Sequence, residues 1–139
     1  MLHNPTVAPR GSETILLLDA DPETRKLAVF MLEKQGYTVL EARNRAEAFA
    51  LFDGRAGDVN LLLLEAKGRG LEMAQELKQH HPHLPVLFMC CESARGAQLV
   101  VEQGLPYLRK PFTMCEIAGK VREVLDSRMG RAMTAGSSF

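Results

Sequence analysis

Five times between residues 14 and 126, a short unbroken apolar or β-branched run is followed by a helical pattern. Thr14–Leu18 is apolar without alternation and ends at Asp19, as a parallel strand buried on both faces does. Asp21-Pro22-Glu23 then supplies an N-cap, a proline in the first turn and an acid where the helix macrodipole favours one. That helix extends to Gln35 and stops at Gly36, a favoured residue just past a helix end. Tyr37–Leu40 is expected as the second strand, and Asn44 with Glu47 opens a second helix through Phe52. Asn60–Leu64 reads as the third strand, Gly70–His81 as a helix ended by Pro82, and Val86–Met89 as the fourth strand. Ala94–Gln103 reads as a helix closed by Gly104, and Tyr107–Arg109 as a short fifth strand. Thr113 and Glu116 form a capping box for the last helix, whose Ile117, Val121, Val124 and Leu125 share one face. Successive β-then-α units cross over right-handed and give a parallel sheet covered by helices on both sides. The expected fold is α/β: a flavodoxin-like (βα)5 doubly wound sheet with strand order 2-1-3-4-5.

Residues 1–13 and 127–139 are expected as flexible tails around a domain at 14–126, because the first carries Pro5, Pro9 and Gly11 and the second is rich in Gly, Ser and Ala. No internal repeat is visible, and no second folded domain is expected after Leu125. With 17 Lys+Arg against 17 Asp+Glu, the chain lacks the electrostatic footprint of a nucleic-acid binder. The longest apolar runs, such as Ile15–Leu18 and Leu61–Leu64, are too short to span a membrane, and Met1–Gly11 carries no secretory apolar region. Cys90, Cys91 and Cys115 make an odd count with an adjacent pair, which suits reduced thiols in a cytoplasmic protein.

In such a sheet the ligand site lies beyond the carboxyl ends of the strands. The residues that follow the first, third, fourth and fifth strands are Asp19, Glu65, Cys90 and Lys110. Two carboxylates, a small thiol and an ammonium therefore converge on one crevice, whereas any one of them alone is only a polar residue leaving a strand.

These residues carry a resemblance. The run from Ile15 to Pro22, with Asp19-Ala20-Asp21, resembles the acidic opening of response-regulator receiver domains. Gly104 to Phe112, with Tyr107 and Lys110-Pro111, is similar to their closing Lys-Pro-Phe segment, and Leu61–Glu65 falls where the family presents its phosphoacceptor. Met31–Glu41, Pro85–Met89 and the last helix are similar to the C-terminal receivers of hybrid histidine kinases. The resemblance spans about residues 13–126. It implies phosphorelay signalling, in which an aspartate takes a phosphoryl group from a phosphohistidine. Two acids hold Mg²⁺, a lysine pairs with the phosphoryl oxygen, and a Ser/Thr and an aromatic residue respond. Such a transfer is catalysed almost entirely by positioning and charge stabilisation.

Carried over residue by residue, the pattern is only partly kept. Asp19 matches the first acid, Lys110 the lysine and Tyr107 the aromatic switch. Ala20 stands at the second acid's position, with Asp21 one place later; Glu65 stands at the phosphoacceptor position and Cys90 at the hydroxyl switch. The Ala66-Lys67-Gly68-Arg69 loop is shorter than the family's and lacks its Met-Pro, and the fourth helix is also short. Glu reaches about 1.5 Å farther than Asp, and misplacement on that order costs about 100-fold in rate. The expectation is a pseudo-receiver without turnover of its own and without a cofactor. Mg²⁺ would sit at Asp19 and Glu65 if the site still worked. The implied partner is a histidine kinase or another signalling protein, with no nucleic acid and no membrane, and the implied contact or homodimer face is the fourth helix, fifth strand and fifth helix. Two alternatives stay open: a working receiver, and a small-molecule or redox sensor using Asp19, Cys90 and Lys110. Other features have plainer readings: His80 and His81 close a helix and Pro82 separates them from His83, Arg43, Arg45, Arg122 and Arg128 alternate with acids on solvated faces, and Met31, Met73 and Met89 are core.

Overall fold

The computed structural model describes residues 8–55, 57–67, 70–91 and 95–133. Its elements alternate strictly: β1 (Thr14–Leu18), α1 (Pro22–Lys34), β2 (Thr38–Ala42), α2 (Arg45–Arg55), β3 (Leu61–Glu65), α3 (Gly70–His80), β4 (Val86–Cys90), α4 (Arg95–Glu102), β5 (Tyr107–Arg109) and α5 (Met114–Met133). All pairings are parallel and the strand order is β2-β1-β3-β4-β5, the expected doubly wound sheet.

The unbroken apolar strands are explained by two cores, one on each face. Leu16, Leu62, Leu64, Val86 and Phe88 point into the core beneath α2, α3 and α4. Their neighbours Ile15, Leu17, Leu61, Leu63, Leu87 and Met89 point into the core shared with α1 and α5. Successive side chains of a strand leave opposite faces, so a strand covered on both sides is apolar at every position.

Local signals set the helix starts. Asp21 caps α1, its Oδ1 accepting from Glu23 N–H at 3.3 Å. Asn44 Oδ1 accepts from Glu47 N–H at 2.9 Å at the head of α2. Thr113 and Glu116 exchange both bonds of the capping box before α5, at 3.1 and 2.8 Å.

Several boundaries depart from the sequence expectation. β3 and β4 each run one residue further, so that Glu65 and Cys90 end strands rather than follow them; Glu65 is opposite Met89 and Cys90 opposite Arg109. β2 is shifted to Thr38–Ala42 because its partner β1 sets its register. α2 continues past Phe52 to Arg55, since Gly54 lies on an open face where nothing nearby breaks the helix. The domain limits of 14 and 126 also move. Residues 8–13, expected as part of a loose tail, lie against the domain: Ala8 is buried and Gly11 N–H donates to the Gln35 carbonyl at 3.1 Å. At the other end, residues 127–133, expected as a tail, continue α5, because backbone hydrogen bonds propagate a helix at little cost once it is nucleated. Residues 1–7 and 134–139 of the expected tails lie outside the described residues.

Candidate functional site

The strand order reverses beside β1, and the carboxyl ends of β1, β3 and β5 bring three charged side chains together there. Asp19 directly follows β1 and is fully buried. Glu65 is the last residue of β3, and Lys110 directly follows β5, just before the cis Lys110–Pro111 peptide. Lys110 Nζ lies 2.8 Å from Asp19 Oδ2 and 3.2 Å from Glu65 Oε2. The ammonium is thus shared between the two carboxylates and is itself about nine-tenths buried.

The remaining carboxylate oxygens are also engaged. Asp19 Oδ1 accepts from Asp21 N–H at 2.9 Å, and Glu65 Oε1 accepts from Ala20 N–H at 3.5 Å. Asp19 Oδ2 meets Lys110 as a close ion pair but not as an aligned hydrogen bond, and it has no other hydrogen-bond partner among the described residues. Burial works against the Lys110 charge, but the two carboxylates outweigh it and hold the ammonium's pKa above the ordinary lysine value. Lys110 is therefore a fixed cation between two acids at neutral pH.

The other expected site residues take different places. Asp21 is exposed and spent on the helix: besides capping Glu23, its Oδ2 accepts from the Thr24 hydroxyl at 2.6 Å. That bond to Thr24 is the main reason its pKa lies below the ordinary aspartate value. Cys90 points into the apolar core under α4 and is buried, and burial raises its thiol pKa, with a smaller push from Cys91. A buried thiol held protonated is a poor nucleophile. Tyr107 is half-buried and packs against the same core, alongside Val100 and Leu105.

Mg²⁺ demands near-octahedral oxygen ligation, mostly from carboxylates and water. The side chains here do not fit it. Ala20 offers no oxygen, Asp21 caps α1, and both remaining carboxylates face the Lys110 ammonium. Among the described residues, no group of three or more His, Cys, Asp or Glu side chains is gathered anywhere.

One residue that shapes the site was not singled out from the sequence. Arg25 is buried inside α1, donating to the Asp19 carbonyl at 3.0 Å and to Glu41 Oε2 at 2.7 Å. It pins the end of β1 to β2. The available signal was its helical phase, since Arg25 lies in line with the buried Ala28 and Leu32. A cleft of about 720 Å³ opens beyond it, lined by Lys26, Glu41, Arg43 and Glu47 among others. Each of its carboxylates is already paired, Glu41 with Arg25 and, more distantly, Lys26, and Glu47 with Arg43.

A second surface lies along β5 and α5, where a hollow of about 490 Å³ is lined by Tyr107, Arg109, Lys110, Pro111, Glu116 and Lys120. Leu99 and Val101 of α4 are 42% and 51% exposed. Among the described residues, no helix is long and apolar enough to cross a membrane.

Known proteins resemble this chain in sequence and in fold. The chain is 36% identical over 119 residues to the transcriptional regulatory protein CpxR of Klebsiella pneumoniae, covering 80% of this chain and 48% of the regulator. It is 31% identical to the phosphate regulon transcriptional regulatory protein PhoB of Pseudomonas aeruginosa, covering 81% and 52%. Against the sensor kinase CckA of Brucella abortus it is 28% identical, covering 85% of this chain and 13% of the kinase. The chain thus spans about half of these regulators and a small part of the kinase. Among solved structures, a response regulator receiver domain protein from Clostridium thermocellum superimposes with a TM-score of 0.74 at 23% identity, covering 84% of this chain and 97% of that one. NtrX from Brucella abortus gives 0.81 at 22%, covering 90% and 30%. Residues 15–122 match the response regulator receiver domain as a family, and with the doubly wound sheet and the Asp19–Lys110 pair at its switch point, the chain belongs to that family.

Proposed function

We propose that this chain is a pseudo-receiver: a phosphorelay module, similar to those of hybrid kinases, that takes no phosphoryl group on Glu65 and acts through protein–protein contact in the cytoplasm. It has no turnover of its own. The observation that carries this reading is the Lys110 ammonium held between Asp19 and Glu65. In a phosphoryl-accepting site the lysine meets the incoming oxygens and a metal neutralises their charge. Here Glu65 already supplies negative charge to the lysine, and Ala20 stands where a second acid would be needed. The contact face is α4, β5 and α5, supported by the exposed Leu99 and Val101 and by the hollow beside Tyr107. Its partner is a histidine kinase or another signalling protein, or a second copy of the chain through the same face.

The test is incubation with a small-molecule phosphodonor and Mg²⁺ followed by intact mass, alongside Mg²⁺ titration by NMR with and without a phosphoryl-mimicking fluoride complex. The wild type is expected to gain no phosphoryl mass and to show no saturable Mg²⁺ binding. The double variant A20D/E65D restores two acids and the shorter acceptor, and is expected to bind Mg²⁺ measurably better than the wild type. A stable added phosphoryl on wild-type Glu65 would overturn the reading. A redox sensor at Cys90 is disfavoured by that thiol's burial and raised pKa.

A further inference from the structure

We propose that residues 8–13 are a strap latched onto the domain by Arg122, which couples the chain ahead of β1 to α5. The strap touches three elements. Gly11 N–H donates to the Gln35 carbonyl at 3.1 Å, and Arg10 Nη1 donates to the Lys34 carbonyl at 3.3 Å, so its middle is seated on the last turn of α1. The Gln35 side-chain amide, oriented by its neighbours, donates to the carbonyls of Ala8 and Pro9 at 3.2 Å each. The Glu13 carbonyl accepts from Thr38 N–H at 3.1 Å at the start of β2.

Arg122 closes the strap from α5. Its guanidinium grips Glu13 with two bonds, Nη2 to Oε2 at 2.6 Å and Nη1 to Oε1 at 3.1 Å, the forked geometry that makes arginine–carboxylate pairs strong. Nη1 also reaches the Arg10 carbonyl and the Tyr37 hydroxyl, each at 3.4 Å. One α5 side chain therefore holds the strap at two points. The same guanidinium contacts Asp126 on its own helix, Nε at 3.1 Å and Nη2 at 3.0 Å. Asp126 gives Arg122 a partner when Glu13 leaves, so opening the strap does not strand an unpaired guanidinium. That is the property a latch needs, since breaking a pair is costly chiefly when it leaves an uncompensated charge. Gly11 is required by the same packing: a Cβ there would overlap the Tyr37 ring, the Arg122 guanidinium and the Glu13 carboxylate.

The test uses the full chain. Trypsin cutting of the Arg10–Gly11 bond is followed by intact mass in the wild type, R122Q and E13Q, and amide hydrogen exchange is followed in the wild type and G11A. R122Q and E13Q are expected to speed the cut by up to about fivefold, the scale set by losing a partly exposed charge pair. G11A pushes the strap off Tyr37 and the Glu13–Arg122 pair without removing a charge, and is expected to raise exchange at Glu123–Asp126 of α5 while Leu62–Leu64 stay protected. Cutting as slow in R122Q and E13Q as in the wild type would overturn the latch, and unmoved α5 amides in G11A would overturn the coupling. Loss of protection at Leu62–Leu64 in step with the strap would make residues 8–13 an inseparable part of the core and overturn both. If R122Q does not fold, E13Q carries the same reading.

Discussion

Lys110 and Asp19 form a pair withdrawn from water, with side-chain exposures of 9% and 0%. Burying two charges is costly, and their attraction repays it only while both are present. Lys110→Met is therefore expected to cost about 3 kcal/mol in urea unfolding, because it leaves the Asp19 carboxylate buried without a counter-charge. The double variant D19N/K110M is expected to cost less than the sum of the two single changes, since Lys110→Met strands Asp19 while Asp19→Asn leaves Lys110 paired with Glu65 alone. The lysine's role at this spot was legible from the sequence, because a residue leaving a parallel strand at its carboxyl end has one place to go. Arg25 was not: an arginine on a helix ordinarily faces solvent, and its burial depends on Glu41 arriving from β2 and on the Asp19 carbonyl.

Glycine has opposite meanings in two helices. Gly70 opens α3 directly against the end of β3, and a Cβ there would overlap the Glu65 carbonyl oxygen. Gly70→Ala is expected to destabilise by about 1–3 kcal/mol, as overpacking against a fixed neighbour does. Gly54 in α2 meets nothing within 4 Å, so Gly54→Ala is expected to stabilise by about 0.5–1 kcal/mol through helix propensity alone. Urea midpoints moving in opposite directions would confirm the contrast; a shift of the same sign would refute it. Helix starts were readable because caps are local chemistry: Asp21, Asn44 and Thr113 act on amides two or three residues away. Strand ends were not, because a strand stops where its neighbour stops pairing. Glu65 belongs to β3 through Met89, and Cys90 to β4 through Arg109.

Across the whole molecule, the Glu13–Arg122 pair joins the segment before β1 to α5, with side chains 28% and 24% exposed. The hydrogen bond from Arg122 lowers the Glu13 pKa below its ordinary value of 4.5 and outweighs the opposing effect of burial. A depressed folded-state pKa contributes stability that is present above the unfolded value and is lost as pH falls through the folded one. Glu13→Gln is therefore expected to cost about 1 kcal/mol or less at pH 7, and the gap between the two proteins should close below pH 4.5. Glu47, held down to about 2 by hydrogen bonds from Arg43, titrates in both proteins and cancels from that difference. A gap that persists unchanged to low pH would assign the effect to packing instead.

At this level the division between sequence and structure is clear. The unbroken apolar strands, the caps and the order of elements dictate a parallel sheet covered on both faces, because strand period and helix capping depend on residues near one another in the chain. The resemblance of the Asp19 and Lys110 segments to receivers carried the family. Two outcomes needed the tertiary structure: that Lys110 is shared between Asp19 and Glu65, and that residues 8–13 are strapped to α1 and α5. Each depends on distances between groups as many as 109 residues apart, which only the packed sheet and its helices bring within reach of a hydrogen bond.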